Sequence, residues 1–548
     1  MENLIRRVQA IPQIPRPFAM RSWKTVAQRY DAFVFNDELR GQYLPLVAWD
    51  REQPHFQVEA FRLPSYVGQD ARGEAINQIA AVVGGSLVGI DKSDQKGRNW
   101  VLMCSQYYNP DTRLVNNNMA RGSKSAGSFW YQILPCILFY QLVSLYPQMS
   151  KKQILTSDGS ASLCMEEMMY LNAERFCQAA EVLGDGAEGY LWTGFDFSHM
   201  KPVFNGRWRE PDAAAGIAWL EYMAYVKFGS RQFLHAAEMA LQSLVSMDYN
   251  PLYELLLIYG AYLAARINAE LGRDYDLSKL INWCFEPSDA RDGWGRPGWG
   301  IIAENWAGLD AYGLQGSVTD SGGYAFAMNT FQWAGILLPL VRYDQRYAAQ
   351  IGKWILNLAN NARLFYSIYH SPQHQSNSSW DLDPHSCIAY EGLRKQGPIT
   401  VPVEQQVSPY ATGDAVRCGW GPTNYCLYGS SHVGYLAAPL GFTDDPGILE
   451  LDLCVTDFFK GEAYPTYLYY NPYAEVRLIT INVGEDPVDL YDTVTHSFLA
   501  VQASGREIVS IPPDQAVVLV LVPSGAEKAV SGQKLLCGGV VVDYHWGE

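Results

Sequence analysis

The sequence predicts a mainly α protein, a barrel of helical hairpins followed by a small all-β sandwich. Three observations carry that expectation. Long segments hold apolar residues on most faces or at helical spacing, which places them in a core. The stretch from Gly322 to Asn361, GGYAFAMNTFQWAGILLPLVRYDQRYAAQIGKWILNLANN, reads as two such helices around a short Arg342-Tyr343-Asp344 break, and helices joined by so few residues form an antiparallel hairpin. From Tyr464 onward the apolar period changes to two, the period of a half-buried strand.

Residues 1–15 form a Pro-punctuated arm. Helices are expected over 16–35, 70–89 and 99–108, while 41–64 mixes Pro with alternating apolar residues and supports no assignment. A loop over 109–125, rich in Asn, Gly and Ser, leads into a strongly apolar helix ending near Pro147. Further helices fit 161–183, 212–228, 231–247, 252–271 and 277–285, with Gly272 stopping the fourth. A Gly/Trp-rich loop over 287–317 precedes the hairpin, whose first helix is expected over 324–341. Asp320 and the Gly322-Gly323 pair stand ahead of it, so the acid falls at the positive end of a buried helix on the barrel rim. A polar loop over 370–429 follows, then helices over 430–438 and 448–459, for roughly twelve helices in all. PTYLYYNPY, AEVRLITINVG, VDLYDTVTHSFLAVQ, REIVSIPPD and QAVVLVLVP read as strands of a sandwich. The division drawn is a barrel with its arm over 1–462 and a sandwich over 463–548. Loops as long as the two above are usually functional in a compact domain.

At 548 residues, 48% hydrophobic and 18% charged, the chain exceeds one ordinary domain and can bury a large core. Aromatics reach 13%, and those falling in loops offer flat faces to a ligand. The net charge of −16 sets a field that repels nucleic acid and leaves anionic sugars only local arginines to bind. The 10 Cys contain no CxxC pair and are expected as buried free thiols. Arg6 and Arg7 have no apolar stretch behind them, and no run is long enough to span a bilayer. The expectation is a cytoplasmic protein, with secretion as the alternative, without cofactor, metal or membrane partner. A homo-oligomer is compatible with the sequence.

Several constellations could carry chemistry. Trp208-Arg209-Glu210-Pro211-Asp212 precedes a helix that starts with three alanines and Gly216. Glu210 and Asp212 there read either as helix caps or as rim acids beside Trp208. Asp320 reads as a cap or as a carboxylate held ionised by a helix end, suited to a base or nucleophile. One loop holds Arg291, Asp292, Trp294, Trp299, Glu304, Trp306 and Asp310, a pattern in which Trp faces pack on sugar C–H groups while acids bind hydroxyls. Asp196 sits between Phe195 and Phe197 after Trp192, where burial would suit a general acid or a structural hydrogen bond. Glu391 is a further loop acid, with Arg394 as an alternative salt-bridge partner. Trp130, Trp192, Tyr324, Trp380 and His374 complete the residues expected to touch a substrate. His370 and His374 have HxxxH spacing, with His385, Asp381 and Asp383 in the same loop. Pro372 lies between the first two and no HExxH exists, so no metal is expected. No P-loop, dinucleotide fingerprint or GxSxG is present.

Helical hairpins with long rim loops, clustered acids and Trp, then a C-terminal β-sandwich, resemble (α/α)6-barrel carbohydrate-active enzymes, among them unsaturated glucuronyl hydrolases, glucanases and polysaccharide lyases. WREPDAAAGIAWLEYMAY, ARDGWG, GGYAFAMNTFQ, NLANNARLFY, IAYEGLR and YPTYLYYNPY also resemble a module of large bacterial proteins acting on polysaccharides. The resemblance implies an (α/α)6 toroid and an oligosaccharide or polysaccharide substrate. It carries no catalytic residue across, because such families place their acids differently.

Three functions follow. A glycoside hydrolase would use two carboxyl groups flanking the bond. Asp320 with Glu210 or Asp212 is the expected pair, with Asp292, Asp196 and Glu391 in reserve. A lyase acting on uronates would draw on Asn116 to Asn118, Arg121, Tyr324 and His374. A non-catalytic sugar-binding protein would need only the Trp platform.

Overall fold

The computed structural model describes residues 5–68, 73–120, 122, 127–289, 298–377, 389–413 and 425–547. Its helices are α1 (Trp23–Val34), α2 (Ala75–Leu87), the short α3 (Trp100–Met103), α4 (Phe129–Leu145), α5 (Met165–Leu183), α6 (Ala213–Phe228) and α7 (Arg231–Ser246). They continue with α8 (Leu257–Leu271), α9 (Leu277–Phe285), α10 (Ala327–Leu337), α11 (Leu340–Tyr343), α12 (Ala348–Asn361), α13 (Leu427–Ser430) and α14 (Val433–Ala437).

Apolarity sorts these helices into two layers. In α4 and α6 nearly every residue is buried, as befits a helix surrounded by protein on all sides. In α7 only one stripe is buried, through Phe233, Ala236, Ala237, Ala240, Leu241 and Leu244. The all-round apolar helices form a closed ring. α2 packs on α4, α4 on α6, α6 on α8, α8 on α10, α10 on α14, and α14 returns to α2. Around them lie α1 against α14 and α2, α5 against α4 and α6, α7 against α6, α9 against α8, and α12 against α10. This is an (α/α)6 toroid.

Small residues let the ring close. A Cβ on Gly434 would stand 2.3 Å from the Cα of Gly84, where α14 meets α2. A Cβ on Gly260 would stand 2.7 Å from that of Ala215, where α8 meets α6. Overpacking such contacts costs about 1–3 kcal/mol or more.

The two long loops and the start of an expected helix contribute strands β1 (Trp299–Ile301), β2 (Gln315–Ser317), β3 (Tyr324–Phe326), β4 (Gly392–Arg394) and β5 (Tyr410–Thr412). They form one antiparallel sheet in the order β5-β4-β3-β2-β1. The helix expected over 324–341 therefore begins as strand β3, then runs as α10 and α11. Asp320 does not stand at a helix start. It lies in a 3-10 turn between β2 and β3. Gly323, at φ +141 and packed on the Trp306 ring, lets that turn re-enter the sheet.

The C-terminal sheet contains β6 (Leu440–Phe442), β7 (Leu449–Asp452), β8 (Thr466–Tyr470), β9 (Arg477–Asp492), β10 (Ser497–Ile511) and β11 (Ala516–Pro523), in the order β6-β7-β8-β11-β9-β10. Two of its strands thus come from residues ahead of 463, and the helix expected over 448–459 is strand β7 followed by turns. Bulges near Gly484 and Val488 break the register of the long β9–β10 hairpin, and bulges bend a hairpin. Ile479, Ile481 and Val509 of that hairpin then pack with Tyr469, Val517 and Leu519 in one core. On the other face Val520 and Val522 meet a second sheet, made of β12 (Lys528–Ser531), β13 (Lys534–Cys537) and β14 (Val540–Asp543). The result is a sandwich anchored to α12, where Gly352 meets Tyr470. The eight described cysteines are free. No described helix is long and apolar enough to cross a membrane.

Candidate functional site

The N-terminal ends of the ring helices gather at one end of the toroid, and hydrogen bonds or close packing link most neighbours there. Glu210, ahead of α6, accepts the Trp130 N–H of α4 at 2.8 Å. Asp212, at the start of α6, accepts the Tyr253 N–H ahead of α8 at 3.1 Å. The Glu254 carbonyl, ahead of α8, accepts the Asn329 amide of α10 at 3.2 Å. A Cβ on Gly429 of α13 would stand 3.1 Å from that of Ala327 of α10. The Tyr428 N–H of α13 donates to the Ser65 carbonyl at 3.1 Å, and the Ser65 hydroxyl donates to Glu74, ahead of α2. Each helix end carries partial positive charge, so this mouth favours carboxylates.

The carboxylates divide by what holds them. Glu210 is fully buried and capped by the Ser128 hydroxyl, the Trp130 N–H and the Trp208 indole N–H. Burial pushes it up to about 7 against those donors. Asp212 is also fully buried, with Oδ1 lacking any partner. Burial first, then the charges of Glu210 and Glu254, push it far above the carboxylate range. These two acids tie α4, α6 and α8 together.

Glu74, Glu254 and Glu391 all lie near enough to Tyr131, the centre of the site, for their charges to act on its phenol. Glu74 is half-buried and accepts the Asn117 amide at 3.0 Å besides the Ser65 hydroxyl. Glu254 is half-buried on a left-handed backbone, φ +62, which costs a non-glycine residue about 1–2 kcal/mol. Its carbonyl takes amides from both Asn329 and Gln315. Glu391, buried between two strands, accepts the Tyr66 hydroxyl at 3.2 Å and the Tyr324 hydroxyl at 3.4 Å. The Tyr131 phenol registers all three. Burial raises it most, and the charges of Glu74, Glu254 and Glu391 raise it further. Tyr428 is raised chiefly by burial too, and Glu74 and Glu254 also act on it.

Aromatic rings wall this centre. Tyr66 and Tyr428 stack at 5.9 Å, and Tyr428 stacks on Trp130 at 6.2 Å. Trp130 meets Tyr131 edge-on at 4.6 Å. Behind Glu391, Phe326 lies between Tyr324 at 4.3 Å and Trp299 at 5.3 Å. Carboxylates beside flat rings can bind sugar hydroxyls and pack on a sugar's C–H face.

Of the residues singled out from sequence, Glu391, Tyr324, Trp130 and Trp299 belong to this centre or its wall. Glu210, Trp208 and Asp212 lie in the cap beside it. The Trp192 carbonyl accepts the Glu210 N–H. Asp320 stands further out. Its Oδ1 is 3.5 Å from Arg394, whose guanidinium lies 4.1 Å from the centroid of the Tyr324 ring. Trp306 is 1% exposed and packs on Gly323, so it serves the core rather than a sugar platform. His374 bonds the Pro409 carbonyl. Asp196 departs from its expected environment. It is part-exposed and bonded to His199 at 2.8 Å, which holds it below the usual carboxylate range. Asp292, Arg291, Trp294, Trp380, Arg121, His385, Asp381 and Asp383 lie outside the described residues. Among the described residues no cluster of His, Cys, Asp and Glu is arranged to hold a metal.

Glu74, Glu254, Tyr66, Tyr131, Tyr253 and Tyr428 were not singled out. Glu74 and Glu254 fell inside expected helices, over 70–89 and 252–271. Their signal was a lone acid directly ahead of an apolar run, AINQIAAVV and LLLIYGAYLAA.

No family model matches the chain, and no curated protein matches it. Among solved structures, it is similar to a GH127 β-L-arabinofuranosidase from Geobacillus stearothermophilus T6, with a TM-score of 0.37, 9% identity, and coverage of 96% of this chain and 85% of that one. It is also similar to the GH127 β-arabinofuranosidase BT3674, with a TM-score of 0.41, 10% identity, and coverage of 97% and 85%. Likeness at this level carries no functional inference.

Proposed function

We propose that the chain is a glycoside hydrolase acting on oligosaccharides at the mouth of the toroid. One observation carries this reading. Glu74, Glu254 and Glu391, far apart in sequence, act together on Tyr131 beside the stacked Tyr66, Tyr428 and Trp130 rings. Glycoside hydrolysis needs one carboxyl group to protonate the leaving oxygen and another to act as base or nucleophile. Glu391, buried and held by two tyrosine hydroxyls, is assigned as the proton donor. Glu74 and Glu254, both half-exposed, suit the carboxylate that activates water or attacks carbon. Tyr66 and Tyr324 orient Glu391, and Arg394 with Asp320 supports Tyr324 from behind. Among the described residues, the groups bonded to Glu74 are a hydroxyl and an amide, and carboxylates gathered at one mouth suit a neutral sugar better than a uronate.

The test is incubation with a panel of neutral and uronate-containing oligosaccharides, followed by chromatography and ultraviolet absorbance. New reducing ends without absorbance support hydrolysis. Absorbing unsaturated products would replace it with a lyase, and intact but bound sugar would replace it with a binding protein.

A further inference from the structure

Glu254 stands on an unusual piece of backbone. The Leu255 N–H closes on the Tyr253 carbonyl at 2.8 Å, and Glu254 between them has φ +62. It is the middle residue of a γ-turn of the rare, strained hand. The turn lies just ahead of α8, at the mouth. Glu74, the other half-buried carboxylate there, precedes α2 on ordinary extended backbone, φ −126 and ψ 139.

Three side chains from three different elements pin this turn. Asp212, at the start of α6, accepts the Tyr253 N–H at 3.1 Å. The Gln315 amide of β2 and the Asn329 amide of α10 both donate to the Glu254 carbonyl, at 3.0 and 3.2 Å. The Tyr253 ring meets Trp299 edge-on at 6.4 Å. All three pinning side chains are buried. Each also leaves a polar atom unbonded, since Asp212 Oδ1, Gln315 Oε1 and Asn329 Oδ1 have no hydrogen-bond partner. A buried polar atom without a partner lowers stability. The fold thus tolerates three such losses at one turn, on top of the strain in the turn itself. Strain of this kind persists only where the surroundings enforce it, and it gathers at active sites.

The two half-buried carboxylates therefore differ. Both oxygens of Glu74 already accept a hydrogen bond from the protein, one from the Ser65 hydroxyl and one from the Asn117 amide. A carbon or water approaching Glu74 meets oxygens that are in use. Glu254 projects from a turn with little backbone freedom left, which is what a group held about 3–3.5 Å from a reacting atom requires.

We propose that Glu254, rather than Glu74, is the carboxylate that meets the anomeric carbon or its attacking water, and that Asp212, Gln315 and Asn329 are positioning residues that hold it there. The proposal rests on the hydrolase reading above. Glu391 gives its proton to the departing sugar oxygen as that C–O bond breaks. In the direct course Glu254 takes a proton from water while the water oxygen bonds the anomeric carbon. One water is consumed, each product carries a new hydroxyl, and solvent resets the two acids. In the two-step course a Glu254 oxygen forms the bond to carbon first. Water then displaces it, and the water's proton returns to Glu391. Glu74 grips a sugar hydroxyl in either course. Asp212, singled out from sequence as a catalytic acid, acts through Glu254.

The test is azide rescue on an oligosaccharide that the parent protein cleaves. Glu254→Ala is expected to lose about 10²–10⁴-fold in turnover. Azide should restore part of that loss by bonding the anomeric carbon, leaving a glycosyl azide seen by mass spectrometry. Glu74→Ala should lose turnover without rescue. Rescue of Glu74→Ala, or of neither variant, overturns the assignment. Asn329→Ala and Gln315→Ala should each lower kcat per folded molecule by about 10²-fold with KM nearly unchanged, the folded fraction being read from calorimetric melts. An unchanged kcat per folded molecule in both would overturn the positioning role. Asp212→Asn keeps an acceptor for the Tyr253 N–H and should lose far less than Asp212→Ala, whereas equal losses would make Asp212 a catalytic acid instead. A parent protein that cleaves no oligosaccharide removes the hydrolase reading, and a crystal structure of Asn329→Ala then tests the clamp separately. Residue 254 leaving the left-handed region supports the clamp, and residue 254 staying there overturns it.

Discussion

At the mouth of the toroid, Glu74, Glu210 and Asp212 are met by hydroxyls, amides and N–H groups. At the opposite end, Asp457 is met by Arg342, by the Tyr262 and Tyr343 hydroxyls, and by Arg266 at 3.9 Å. Arg266 goes on to bond Glu270 and the carbonyls of Phe458 and Phe459. Below α2, Lys92 pairs with Asp31 at 2.6 Å, both buried. Helix dipoles favour this arrangement, anions near the N-termini of α2, α6 and α8 and cations near the C-termini. The ends nonetheless do different work. The far end neutralises its charges and pins the C-terminal segment to the ring, whereas the mouth gathers carboxylates on one another and leaves three of them around Tyr131. Like charges brought together cost stability, and such arrangements mark sites of chemistry.

That contrast can be broken from either side. The largest effect is expected at the mouth. Glu391→Gln and Glu254→Gln should each lower turnover by about 10²–10⁴-fold, with melting temperatures close to that of the parent protein. Steady-state rates and calorimetric melts on the same samples check both halves. At the far end the pattern should invert. Asp457→Asn leaves the buried Arg342 without its counter-charge and should destabilise the fold by about 3–5 kcal/mol, read by denaturant unfolding. The protein that remains folded should turn over normally.

A smaller effect separates the cap from the centre. An unfolded Glu titrates near about 4.3, and burial pushes Glu210 in the fold up to about 7. Between those values the folded chain keeps a proton that the unfolded chain has lost. Stability from this group is therefore full below the unfolded value and falls as pH rises toward 7. Glu210→Gln should flatten that decline in melts across the same window, while losing about 1 kcal/mol of helix cap.

The toroid was legible because its inner helices are apolar on nearly every face and its outer helices on one, a difference that survives without neighbours. α10 and α12 show the limit of that reading. Their apolar runs were plain, but the strand from Tyr324 to Phe326 was not, because three apolar residues joined to a helix carry no period of their own. The five-stranded sheet was hidden for the same reason. Its strands have three residues each, and the β3–β4 pairing joins Tyr324 to Arg394 across a long stretch of chain. In the site, Glu391 stood out because acids are conspicuous in loops, and Tyr324 because it directly follows the Gly322-Gly323 pair. Glu74 and Glu254 did not, since an acid inside an apparent helix looks like an ordinary first-turn residue. Only the ring, by bringing six helix starts to one place, gives those acids a common neighbour. Asp320 shows the converse. Its glycine pair advertised a helix start, yet the glycines serve a 3-10 turn between strands, and Arg394 and Tyr324 link the acid to the centre.

The most direct test is a crystal structure of Glu254→Gln with an oligosaccharide bound. The account predicts sugar rings against Tyr66 and Tyr428, with Glu391 and Glu74 or residue 254 within hydrogen-bond distance of one glycosidic linkage. A sugar seated elsewhere, with none of the three positions in reach of it, would contradict the account.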